Sequence, residues 1–127
     1  MAKANNDENV FGMLSHLLAI FTGFIAPLIF FLVRKDQKGV AYENAKHSLN
    51  FQITIAIFAG ALIVLWLIFS MLSLFLIGIP LLIAYSFILP MLIPVIGIVI
   101  IIFCIIASVQ AYEGKVYIYP LEIKFFK

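Results

Sequence analysis

His16, His47 and Cys104 are the residues of this sequence with the most chemistry to offer. The polar run His47, Ser48, Asn50, Gln52 and Thr54 is the densest group around any of them. Two histidines in so apolar a chain could hold a haem or a metal between them. Their placement argues against it: on successive spanning helices His16 falls near one membrane face and His47 near the other, roughly 25 Å apart at 1.5 Å per residue. His16 alone could carry protons or meet a partner headgroup, but a hydrogen-bonded histidine between helices is the more economical reading. Cys104 stands alone in an apolar run, so no internal disulfide can form, and it reads as a small buried hydrophobe. A nucleophile with its base, a carboxylate pair, a phosphate-binding glycine loop and a CxxC pair are all absent from the sequence. The chain therefore reads as no enzyme, with no cofactor and no metal implied.

Helical spacing sorts the polar run. His47, Asn50 and Thr54 fall at i, i+3 and i+7 on one face, with Ser48 and Gln52 at i and i+4 beside it. Together with Ser15 and His16 of the first apolar run, His47, Asn50, Gln52 and Thr54 could line a small polar vestibule. The alternative is that they hydrogen-bond between helices. The second reading is preferred: such contacts average about 0.6 kcal/mol and serve mainly to set register.

The elements that must position these residues are set by the absence of charge. From His47 to Tyr112 there is no Asp, Glu, Lys or Arg, and charged residues make up 11% of the chain against about a quarter in soluble domains. This predicts an all-α integral membrane protein whose environment is the lipid bilayer, and with a net charge of only +2 it is not a nucleic-acid binder. Spans are expected at about 10–33, 48–73 and 92–112, followed by an interfacial tail over 113–127. Asn9 would cap a helix beginning near Val10. Pro27 would kink that helix by depriving the Gly23 carbonyl of its partner, and Ser15 and Thr22, seven apart, would share an inward face. The charged segment Arg34 to Lys46 is a water-exposed connection. Between the second and third spans, Gly78, Pro80, Pro90 and Pro94 interrupt a sequence that never becomes polar, which predicts a tight turn around Gly78 to Pro80 and then a broken or interfacial helical piece, a broken, Pro-rich apolar connection. The tail mixes Tyr117, Tyr119, Phe125 and Phe126 with Lys115, Lys124 and Lys127, a composition suited to an interface anchor.

Charge parity then selects a topology. Three spans collect Arg34, Lys35, Lys38, Lys46, Lys115, Lys124 and Lys127 on one side and leave only Lys3 opposite. The positive-inside rule makes the crowded side cytoplasmic. The expected protein is thus multi-pass in the cell membrane, with its N-terminus outside and its first loop and C-terminus cytoplasmic.

Three stretches, LSHLLAIFTGFIAPLIFFLVRKD from Leu14, ENAKHSLNFQI from Glu43 and ASVQAYEGKVYIYPLEIKF from Ala107, resemble a family of small bacterial and archaeal membrane proteins of unknown function. That family is classed with the twenty-kilodalton membrane subunit of the chloroplast inner-envelope protein translocon. The marks of the resemblance are Ser15 and His16, Arg34 to Asp36, Glu43 with Asn50, Phe51 and Gln52, and Gly114 with Tyr117, Tyr119 and Pro120. Taken together, the residues favour a structural or assembly subunit of a membrane complex, partnered by itself or by another membrane protein. A small oligomeric channel or transporter component, translocation-like by resemblance, is the alternative.

Overall fold

The computed structural model describes the backbone of residues 2–127 and the side chains of residues 6–127. Among these residues every regular element is helical: α1 (Ala2–Leu17), α2 (Ala19–Thr22), α3 (Ile25–Val33), α4 (Val40–Ser73) and α5 (Ile79–Tyr112). The isoleucine-rich run inside α5 is helix, as a medium that cannot satisfy a lone strand requires. Among the described residues two helices, α4 and α5, rather than the expected three, are long and apolar enough to cross a membrane; each has 34 residues and holds an 18-residue stretch of mean hydropathy 2.7 and 3.2 respectively. The chain divides into two units, Met1–Thr54 with Ile101–Lys127, and Ile55–Ile100.

In the first unit, the apolar run 10–33 is not one helix. The chain reverses at Gly23, with φ 62° and ψ −124°, a conformation that side chains with a Cβ resist. Pro27 then sits at the third position of α3, where its missing N–H would have had no intrahelical partner anyway. The pair expected to kink a span instead ends one helix and begins another. Antiparallel pairing of the two arms is fixed by contacts at their open end. Glu8 Oε1 lies 3.1 Å from Arg34, the Phe11 and Phe30 rings are 5.8 Å apart, and the Arg34 guanidinium sits 4.0 Å over the Phe11 ring. Thr22 is exposed rather than sharing an inward face with Ser15, and its hydroxyl serves the turn, donating to Leu18 O and accepting from Ala26 N–H. Asn9 lies inside α1, so it is no cap. The expectation for Lys3 falls on a side chain outside the described residues.

The next helix begins at Val40, well before the expected residue 48. The Glu8 carboxylate, from the other arm of the hairpin, accepts the Ala41 N–H at 3.0 Å and so satisfies one of the free donors of its first turn. At the centre of this unit small residues let backbones close up: Ala41, Ala45, Ala107 and Ala111 are wholly buried. A Cβ added at Gly12 would stand 3.2 Å from Asn44 Nδ2 and 3.5 Å from the Ala111 methyl. The end of α5 is closed by Gly114 at φ 84°, with Lys115 N–H reaching back to Gln110 O at 3.0 Å.

The second unit holds the remainder of α4 and the beginning of α5, joined by a turn over 74–78. Gly78 N–H bonds Leu72 O, and a Cβ at Gly78 would fall 2.4 Å from Ser73 N, so the turn admits only glycine there. The tight turn expected near Gly78 is thus present, but the Pro-rich stretch that follows is not the broken helical piece expected from the sequence. Pro80 takes the second position of α5, and Pro90 and Pro94 lie inside a helix that continues through them; a helix in an apolar medium tolerates such prolines where a soluble one would break. Tyr85 ties the arms together by donating to Leu62 O at 2.7 Å and meeting Phe69 edge-on. Outward side chains such as Ile63, Met71, Phe87 and Met91 are exposed, the composition of a lipid-facing surface.

Candidate functional site

The polar face of α4 is occupied by the C-terminal tail. After Gly114 the chain is neither helix nor strand, so its amides and carbonyls need partners from elsewhere. Asn44 Nδ2 donates to Lys115 O at 2.9 Å, and its Oδ1 accepts Tyr117 N–H at 3.1 Å. One and a half turns on, Asn50 repeats the arrangement, donating to Phe126 O and accepting Phe126 N–H, both at 3.0 Å. One turn further, Thr54 Oγ1 accepts Ile123 N–H at 2.9 Å while donating to Asn50 O. An asparagine amide offers the same donor and acceptor pair as a peptide group, so α4 presents to an irregular segment what a neighbouring strand would otherwise supply.

Around this clamp runs a chain of side chains. His16 bonds Asn44 Oδ1 through Nε2 and the Tyr119 hydroxyl through Nδ1, each at 2.9 Å. Since the amide oxygen only accepts, Nε2 carries the proton and Nδ1 receives the phenol's. Burial pushes the Tyr119 phenol far above its ordinary range, which keeps it a donor. The Tyr119 ring stacks on Phe51 with centroids 3.9 Å apart. Cys104 Sγ stands 3.9 Å from both Tyr119 Oη and Gln52 Nε2. Ser15 donates to Gly12 O, and Ser48 donates to Ser15 O, joining α4 to α1. His47 Nδ1 pairs with Glu122 Oε1; the Glu122 side chain is 1% exposed, and its Oε2 is buried without a partner among the described residues.

All six sequence-derived candidates, Ser15, His16, His47, Asn50, Gln52 and Thr54, are therefore buried in one unit. The expected separation of the histidines does not hold, because the α1–α3 reversal brings His16 against Asn44, less than one turn from His47. The residues the candidates omit are Asn44, Tyr119 and Glu122. Asn44 carried a signal: it precedes His47 by three on the same helical face, but lies in a segment whose charges read as loop. Tyr119 stood out only as a mark of the resemblance and Glu122 not at all, since an aromatic and charged tail looks like an interface anchor until its backbone partners are known. A separate hollow of about 760 Å³, lined by Asp7, Glu8, Asn9, Arg34, Gln37 and Glu113 among others, lies at the open end of the hairpin.

A family model described as the magnetosome magnetite crystal formation protein family, MamF/MmsF, matches residues 7–126. The chain belongs to that family. This overturns the resemblance to relatives of the chloroplast translocon subunit, whose stretches all lie within the range that the magnetosome family model matches. No curated protein and no solved structure matches the chain.

Proposed function

We propose that this member of the magnetosome magnetite crystal formation family is a structural component of the membrane around the growing crystal, working through assembly with itself or another membrane protein. Catalysis and solute passage have no part in this reading. The observation that carries it is how the polar side chains are used. Asn44 has all of its hydrogen-bonding capacity taken up, by Val40 O, Lys115 O, His16 Nε2 and Tyr117 N–H, and Asn50 and Thr54 are held in the same way by the tail. These groups build the fold. The broken helix that would have favoured a transport path is absent, since α5 runs through Pro90 and Pro94.

In this reading α4 and α5 are the crossings, and the lipid bilayer covers their outward faces. The clamped tail forms a rigid surface at one membrane face, where assembly partners would bind. The test is complementation in a magnetosome-forming bacterium lacking its own copy, with crystal size and number read by electron microscopy. The wild-type chain should restore both. Asn44→Leu with Asn50→Leu, expressed at the same membrane level, should not. Ion flux through liposomes containing only this protein, lost in those variants, would replace the assembly reading with a conduit.

A further inference from the structure

The hairpin of α1 to α3 has one face that nothing in its unit covers. On α3, Ala26 and Pro27 are buried and Phe30 meets Phe11, whereas Ile25, Ile29 and Leu32, at i, i+4 and i+7, are each about half exposed. At the closed end Phe21 is 81% exposed. No charged residue lies between Val10 and Val33, while Asp7, Glu8, Arg34, Lys35, Asp36 and Lys38 gather at the open end. We propose that this hairpin is a re-entrant element seated in a single leaflet, its outer face covered by acyl chains and its charged end at the level of the headgroups.

Length supports one leaflet over two. The nine residues of α3 extend about 13 Å at 1.5 Å each, close to half of the roughly 30 Å hydrocarbon core. A crossing needs about 20 residues. Much of the turn's backbone is satisfied internally, as membrane depth favours: Thr22 and Gly23 N–H bond the Leu18 and Ala19 carbonyls, and the Ala26 N–H bonds the Thr22 hydroxyl. Charge supports the orientation, because the charged open end belongs in the polar layer and the uncharged tip in hydrocarbon. A consequence follows for topology. The Glu8–Arg34 pair puts the beginning of the chain and the 34–39 connection on the same side of the membrane, not on opposite sides.

The inference rests on the membrane assignment and is independent of the assembly role, so either can fail alone. Two measurements on the full chain test it. Asn6→Cys and Lys38→Cys, each exposed in the structure, are treated with a membrane-impermeant maleimide in right-side-out and inside-out vesicles; Cys104, wholly buried, serves as the silent background. Both should label in the same preparation, and labelling in opposite preparations overturns the proposal. For the covering, Trp66, the only tryptophan, is replaced by Phe, and Phe21→Trp or Val33→Trp is introduced in phosphatidylcholine and phosphatidylglycerol vesicles. Lipids brominated deep in the chain should quench Trp at position 21 several-fold more than Trp at 33. Quenching of position 21 by aqueous iodide means the tip is in water; protection from both quenchers means it is covered by protein. Either result refutes lipid as the occupant. Both sites are exposed, so the substitutions disturb no packing, and unchanged helix content by circular dichroism confirms that the fold persists.

Discussion

Replacing Asn50 by leucine removes the two hydrogen bonds that hold the end of the tail and keeps the side chain's approximate volume. Asn50 both donates to and accepts from the backbone of Phe126, at 3.0 Å each way. Leucine leaves an N–H and a C=O facing an apolar side chain. Each such unsatisfied group costs about 1–3 kcal/mol when it stays out of water. Since the tail can lift and find water, the lower half of that range applies, giving roughly 2–4 kcal/mol for the pair. At 1.4 kcal/mol per tenfold, that corresponds to about 30- to 700-fold more of the undocked tail. The effect should be local, because the α1, α4 and α5 contacts through Gly12, Ala45 and Ala111 do not involve Asn50. Hydrogen exchange in lipid nanodiscs reads it directly. Amides of Ile123 and Phe126 should lose protection by that factor, while the amide of Tyr117, held by Asn44, should change by much less. Asn50→Asp, which keeps the acceptor for Phe126 N–H and loses the donor, should fall between. Unaltered exchange at Ile123 and Phe126 in Asn50→Leu would show that the clamp is geometry without energetic weight.

Tyr119→Phe keeps the stack on Phe51 but takes the donor from His16 Nδ1; thermal unfolding in detergent should show a loss of about 1–2 kcal/mol, with His16→Leu costing more because it also removes one of the four hydrogen bonds of Asn44 and leaves the Tyr119 hydroxyl without its acceptor. Gly23→Ala should destabilise the hairpin by about 1–3 kcal/mol through its positive φ alone, since nothing lies within 4 Å of the added methyl. Gly60→Ala meets equally open space within an unstrained helix, so it should be neutral or slightly stabilising, and equal effects at the two sites would remove the backbone argument. Arg34→Ala should loosen the Glu8 arm, leaving it only the Ala41 N–H, and uncover the Phe11 ring, seen as faster proteolysis within 1–17, whereas Lys35→Ala, with no such contacts, should not.

The sequence showed the class of fold because one physical fact governs it: an uncharged run from His47 to Tyr112 has no stable form in water, and in lipid only helices satisfy its backbone. It also placed the polar face of α4 by spacing. What it could not show is what that face meets. His47, Asn50 and Thr54 were expected against a neighbouring helix, and they instead hold residues 122–126, because the groups in need of partners are backbone amides and carbonyls, identical in every sequence. Gly23 and Pro27 marked a discontinuity but not its angle; kink and reversal use the same residues, and the choice lies in the pairing of Glu8 with Arg34, 26 positions away.

That pairing also alters what the charge count means. The positive-inside argument treats each apolar run as a crossing, so Val10 to Val33 switched sides and left Lys3 as the single exception. If the run turns back within one leaflet, as proposed, the parity changes: with α4 and α5 as the only crossings, all eight basic residues of the chain fall on one face and none on the other. The same rule that supported three crossings is satisfied more completely by two. The apolar turn over 74–78 then becomes intelligible, since it has no lysine or arginine to keep out of translocation and no polar group to place in water. Charge asymmetry is thus a property of the hairpin and the two crossings together, and it is the maleimide labelling at residues 6 and 38, rather than any finer count of lysines, that separates the two topologies.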